Sequence, residues 1–169
     1  MISSKGLMQW LKEIDKGLSR KIVLVAVGGT AMTLLGIKPS TLDVDFCLDP
    51  DDVGLFKSCI KDNKFKVDIF TSGYIFSQQL PEDYKEVSVK IRSGMVNIDL
   101  RALSLGDIII TKAARYNERD EDDIMALVNS RKVDKQKLVK RFNEVKETYA
   151  GKKEDYEYHF GLILKRHFS

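Results

Sequence analysis

The chain has 169 residues, 43% of them hydrophobic and 31% charged, with a net charge of +3. That supplies a real core and excludes a disordered or fibrous chain. No run approaches the roughly 18 apolar residues of a membrane helix, and the first ten residues lack the apolar stretch of a signal peptide. A cytoplasmic domain with no membrane partner is expected.

In chain order, "LMQWLKEIDKGL" places Leu7, Trp10, Leu11, Ile14 and Leu18 at helical spacing, so a helix with a core-facing stripe is expected there. "KIVLVAVGG" reads as a buried strand ending in two glycines. "TAMTLLG" is a short helix that Gly36 can end, and "KPST" is a turn. "DVDFCL" is a second strand, "PDDVGLFKSCIKDN" a helix with Pro50 near its start, and "FKVDIFT" a third strand. "SGYIFSQQLPEDY" reads as a loop or short helix. "EVSVKI" and "MVNIDLRAL" read as the two strands of a hairpin. "SLGDIIITKAARY" starts a helix capped by Ser104, and "RDEDDIMALVNSR" continues or restarts it. Two further helices follow, "DKQKLVKRFNEVKETYA" and "EDYEYHFGLILKRHF".

The sum is α/β in the α+β sense: a small mixed sheet flanked by helices, with a helical C-terminal third. The expected division is a core over 1–130 and a helical extension over 131–169 packed on it. That extension holds 11 Lys/Arg against 6 Asp/Glu, a basic balance that suits a solvated helix face or an anionic partner such as RNA. Cys47 and Cys59 show no metal-type spacing, and His159 and His167 no carboxylate partner pattern; Cys47 is expected to be packed and the two histidines to lie on the surface.

The feature that asks for an explanation is Asp43 and Asp45 inside a strand. Residues two apart share a face, so Val44 and Phe46 turn to the core while two carboxylates stand together. Their repulsion and desolvation are costly unless a cation answers them. Oxygen-only donors suit a hard divalent ion such as Mg²⁺, which is held by one or two carboxylates plus phosphates and water. The preceding "VGGT" ends a strand and opens a helix, where bare backbone can approach a phosphate. Thirteen residues separate Gly29 from Asp43.

A strand ending in Gly-Gly, a short gap and then Asp-x-Asp on the next strand resembles the nucleotidyltransferase superfamily, with Gly28, Gly29, Asp43 and Asp45 on the motif positions. The resemblance calls for a third acidic residue on a later strand. Asp68 in "KVDIF" stands in the expected order, and Asp99 in "NIDLR" is the alternative. "GGTAMTLLGIKPSTLDVDF" with "LSLGDIIITKAARYNERDEDDIMAL" further resembles the abortive-infection toxin-like nucleotidyltransferases and a related bacterial and archaeal family. There Thr41 matches the Thr before Asp-x-Asp, and Lys112, Arg119, Asp120, Asp123 and Ile124 match the downstream motif. The resemblance covers roughly residues 20–130.

It implies the following. Gly28, Gly29 and Thr41 (or Ser40) contact the triphosphate of an NTP substrate. Asp43, Asp45 and Asp68 hold two Mg²⁺ ions. Lys112 stabilises phosphate charge, and Asp120 orients it or activates a hydroxyl. The acceptor is tRNA or another RNA, a protein hydroxyl or a small molecule, and a cognate antitoxin is an expected partner. The competing reading is a catalytically silent binding or regulatory module of the same fold; a nucleic-acid binder using the basic tail is the third.

Overall fold

The computed structural model describes all 169 residues. In chain order its strands and helices are β1 (Ile2–Ser3), α1 (Ser4–Gly17), β2 (Ile22–Ala26), α2 (Gly28–Leu34), β3 (Ser40–Thr41), β4 (Val44–Leu48), α3 (Pro50–Ser58), β5 (Val67–Thr71), β6 (Tyr74–Ile75), β7 (Gln78–Gln79), β8 (Val89–Lys90), β9 (Ile98–Ala102), α4 (Leu105–Arg115), α5 (Glu118–Ser130), α6 (Lys135–Val145) and α7 (Lys153–His167). The architecture is mixed α/β with a helical C-terminal region. The chain divides into two compact units, Met1–Ser72 with Ser88–Leu103, and Gly73–Val87 with Ser104–Ser169. Helices α4 and α5 thereby group with α6 and α7. No helix is long and apolar enough to cross a membrane.

In the first unit the strands run in the order β5-β4-β2-β9-β8. Strand β2 is central: it lies antiparallel to β4 and parallel to β9, and β4 in turn lies parallel to β5. A central strand is covered on both faces, and the "IVLVA" run of β2 has no polar residue to expose. The hairpin expected from "EVSVKI" and "MVNIDLRAL" forms, with Val89 opposite Ala102 and Lys90 opposite Arg101. The last two residues of the expected "KPST" turn instead pair with β1, Ile2 opposite Thr41.

Helix α1 buries Leu7, Leu11 and Ile14, the stripe read from the sequence. Its Trp10 ring lies over Phe46 at 6.5 Å between centroids and meets Phe56 and Phe65 edge-on at 6.3 and 5.7 Å. Phe46 thus anchors one face of β4 in an aromatic cluster, which leaves the opposite face for Asp45. At the end of α1 the carboxylate of Asp15 accepts the backbone N–H groups of Val96, Asn97 and Ile98 at 3.0, 2.7 and 2.8 Å. The Asn97 side chain returns to the carbonyls of Asp15 and Leu18. One helix terminus thereby holds the loop that leads into β9.

In the second unit, Ile108 to Ala114 of α4 are all buried. Phe142 of α6 stacks on Phe160 of α7 at 3.8 Å, and the hydroxyl of buried Tyr156 donates to the carbonyl of Ile110. Arg141 grips the fully buried Asp107 with two nitrogens, at 2.7 and 2.8 Å, and reaches Asp83 with a third. Segment 73–79 corrects the expectation of a loop or short helix: it is a β-hairpin, Tyr74 opposite Gln79. Its two turn residues, Phe76 and Ser77, have φ of 48° and 74°, a left-handed conformation that usually selects Gly or Asn. Tertiary bonds hold it. The buried Gln78 amide donates to the carbonyl of Val145 at 3.1 Å, and the Ala150 N–H donates to the carbonyl of Ser77 at 3.1 Å.

The Asp15 clamp yields a stability prediction. Asp15→Ala strands three backbone N–H groups, each worth about 1–3 kcal/mol when left unpaired, so urea unfolding is expected to show a loss of roughly 3 kcal/mol. Asp15→Glu, which keeps the charge but not the reach, is expected to fall between the two.

Candidate functional site

Strand β4 is held at its start by hydroxyls. Thr30 of α2 donates to the carbonyl of Asp43 at 3.2 Å and accepts the N–H of Asp45 at 2.9 Å. Thr41 donates to the same Asp43 carbonyl at 2.9 Å. The N–H of Val27 donates to the carbonyl of Asp45 at 3.1 Å, so the Asp43–Asp45 backbone is bonded from both sides. Thr30 carries much of this bracing, and the sequence reading passed over it as one more residue of a short helix.

The two glycines have local reasons to be there. Gly28 sits at φ +53°, which a side chain would strain. At Gly29 a Cβ would stand 2.9 Å from the Thr41 hydroxyl. The pair therefore lets α2 approach Thr41 and Asp43 closely, and it also leaves this backbone bare.

Parallel pairing of β4 and β5 sets Asp45 directly opposite Asp68, and directly opposed residues on adjacent strands share a face. Asp43 is exposed and stands in the bend just before β4 rather than inside the strand as expected, Asp45 is buried at 8% and Asp68 lies between. Asp99 is on the same face of the sheet but elsewhere: it is opposite Val23 on β2, whereas Asp45 bonds Val27. Four residues along a strand are roughly 13 Å. Of the two candidates for a third carboxylate, Asp68 is the one beside Asp45.

The Asp45–Asp68 pair with Asp43 close by needs a counter-charge, and the chain has one the sequence reading did not single out. The ammonium of Lys66 lies 3.3 Å from Asp68. Its proton is held above the ordinary lysine range, first by the hydrogen bond and charge of Asp68, then by the charges of Asp43 and, more weakly, Asp45. Lys66 precedes Asp68 by two, so strand alternation puts both on one face; that spacing was the signal available in "KVDIF".

No three His, Cys, Asp or Glu side chains are gathered closely enough to hold a metal by themselves. Mg²⁺ does not require that, because phosphates and water complete a shell begun by one or two carboxylates. The in-register pair Asp45 and Asp68, with Asp43 two residues away, is a donor set of the right chemistry for such a partly protein-built site.

The downstream motif lies in the second unit and forms a network of its own. Asp120 is fully buried, takes Arg115 in a two-pronged pair at 2.7 and 2.8 Å, and accepts the N–H of Asn117 in a capping box. Lys112, 6% exposed, reaches Asp123 at 2.7 Å and Asp120 at 3.5 Å. Burial works to raise the pKa of Asp120, but Arg115, the Asn117 N–H and Lys112 outweigh it and hold the carboxyl below the usual range. The network has a direct structural result: it fixes the turn from α4 to α5, where Tyr116 adopts φ +44°. Enclosed on all sides, Asp120 can orient Lys112 but offers no face to a substrate hydroxyl.

A carboxylate with a lowered pKa stabilises the fold above its unfolded value near 3.8, and that contribution is lost as pH falls through the lower folded value. Asp120→Asn is therefore expected to be less stable than the parent at pH 7, with the gap closing as the pH falls below 3.8, as read from thermal unfolding across a pH series.

A family model described as nucleotidyltransferase of unknown function (DUF6036) matches residues 5–167. Comparison with curated proteins and with solved structures gives no match.

Proposed function

The chain belongs to this nucleotidyltransferase family, and from that premise we propose that it moves a nucleoside monophosphate from an NTP to an acceptor in a Mg²⁺-dependent reaction. The observation that carries the reading is the pairing of Asp45 with Asp68 across β4 and β5, with Asp43 beside them. Asp43, Asp45 and Asp68 would hold Mg²⁺, two ions when substrate is bound. The ions supply Lewis-acid charge against the phosphates.

The residues of this chain do the rest. The bare backbone at Gly28 and Gly29 receives the triphosphate. Thr30 and Thr41 keep the aspartate backbone still, so the carboxylates need no rearrangement as charge develops. The acceptor oxygen attacks the α-phosphorus, its bond to the pyrophosphate oxygen breaks, pyrophosphate leaves with the electron pair, and the acceptor proton passes to a nearby carboxylate or water. Divalent charge on these carboxylates would compete with the Lys66 ammonium for Asp68. Lys112 and Asp120 hold the α4–α5 turn of the second unit.

The motif order resembling the abortive-infection toxin-like enzymes supports tRNA or protein as acceptor and a toxin role with a cognate antitoxin. The paired carboxylates argue against a silent module, because a chain kept only for binding has no use for three charges that repel.

Transfer from α-labelled NTPs into RNA or protein tests the reading. Asp43→Asn with Asp45→Asn is expected to lower incorporation on the order of 10³-fold or more. Equal incorporation by this variant would move the activity away from β4 and leave the silent-module reading.

A further inference from the structure

We propose that the cavity under the 91–97 loop is a second binding site, for a ribose phosphate. It does not rest on the reading of the Asp43–Asp45–Asp68 face. The cavity measures about 540 Å³ and is lined by Lys21 and by residues 90–100 of the first unit, within the range of small-molecule sites. Its loop is built rather than loose: the Asp15 carboxylate holds three consecutive N–H groups of it.

Charge gives the first half of the ligand. Lys21, Lys90 and Arg92 line the cavity, and none of the three is engaged by an ion pair or hydrogen bond. The cavity of about 590 Å³ in the second unit has a more even balance of charge. There Asp83, Asp134 and Glu144 line the same cavity as Lys132, Lys137, Lys140 and Arg141, and Arg141 is tied to Asp83 and Asp107. The first cavity sets three cations against one carboxylate, Asp99, which Arg101 already holds, and a phosphate is the group that answers them.

Asp99 gives the second half. Its Oδ2 accepts Arg101, but its Oδ1 is shielded from water and accepts no hydrogen bond. An unpaired carboxylate oxygen out of water is costly, and the terminal torsion of an aspartate is soft, so a donor in the cavity can reach it. Inorganic phosphate alone would meet the cations but repel Asp99. A ribose phosphate brings both the anion and hydroxyl donors, and a vicinal diol suits a carboxylate. Ile91, Met95 and Val96 supply apolar wall for the sugar or its base; Val96 is 74% exposed. Two sources carry this chemistry, a free ribonucleotide and the 3′ end of an RNA.

The test uses the full chain in EDTA, which keeps divalent ions from the acidic face. Binding is followed by calorimetry and by amide shifts of residues 91–97. Ribose 5-phosphate is expected to bind more tightly than 2-deoxyribose 5-phosphate, and both more tightly than phosphate. Lys90→Ala with Arg92→Ala, both exposed, is expected to weaken ribose 5-phosphate about tenfold or more. Asp99→Asn is expected to erase the preference for ribose, and Asp45→Asn to change nothing. AMP binding as tightly as an oligoribonucleotide assigns the free nucleotide. Tighter oligoribonucleotide binding that periodate treatment of its 3′ diol removes assigns the RNA end. No ribose 5-phosphate binding at millimolar concentration, no ribose preference in the parent, or undiminished binding in the double variant would overturn the proposal.

Discussion

Asp45 stands directly opposite Asp68 across a parallel strand pair, with Asp43 in the bend just before β4. The cost of that arrangement organises the first unit. Three carboxylates so placed repel one another, and burying Asp45 adds desolvation. The structure answers with rigidity and with charge. Thr30, Thr41 and the Val27 N–H hold the backbone between Asp43 and Asp45, and Lys66 brings an ammonium to Asp68. Phe46, locked against Trp10 on the other face, fixes which way the aspartates point. A one-residue slip of β4 would send Asp45 into that aromatic cluster.

The second unit solves a similar problem in the opposite way. Asp120 and Asp107 are buried completely and are matched by Arg115 with Lys112 and by Arg141. These carboxylates are consumed by structure. The difference between them and the β4–β5 pair is one of exposure and of partner: Lys66 is a long, exposed cation that can leave, whereas Arg115 and Arg141 hold forked pairs that cannot be given up cheaply.

Much of this was legible in the amino-acid sequence because period and caps are local. The stripe of α1, the buried run of β2, the Ser104 cap of α4 and the alternation of Asp45 with Phe46 on β4 all follow from neighbours within a few residues. The 73–79 hairpin was not legible, since Phe76 and Ser77 lack the Asn-Gly signal and their left-handed turn is held by Val145 and Ala150, some seventy residues away in sequence. The choice between Asp68 and Asp99 was open for the same reason: it depends on the register of β5 and β9, which spacing along one strand does not encode. Asp15 reads as the polar side of an amphipathic helix and turns out to hold a distant loop. Lys112 and Asp120 were legible as a motif, but their enclosure was not.

The central claim is that the Asp43–Asp45–Asp68 face takes a metal with a nucleotide, and binding tests it most directly. Thermal unfolding would be followed with each of the four nucleoside triphosphates, with and without Mg²⁺. Ligand that binds only the folded state raises its stability by mass action. The account predicts a rise for at least one nucleotide that requires Mg²⁺ and disappears in Asp45→Asn. A parent that responds to no nucleotide, or an Asp45→Asn variant that responds as the parent does, would contradict it.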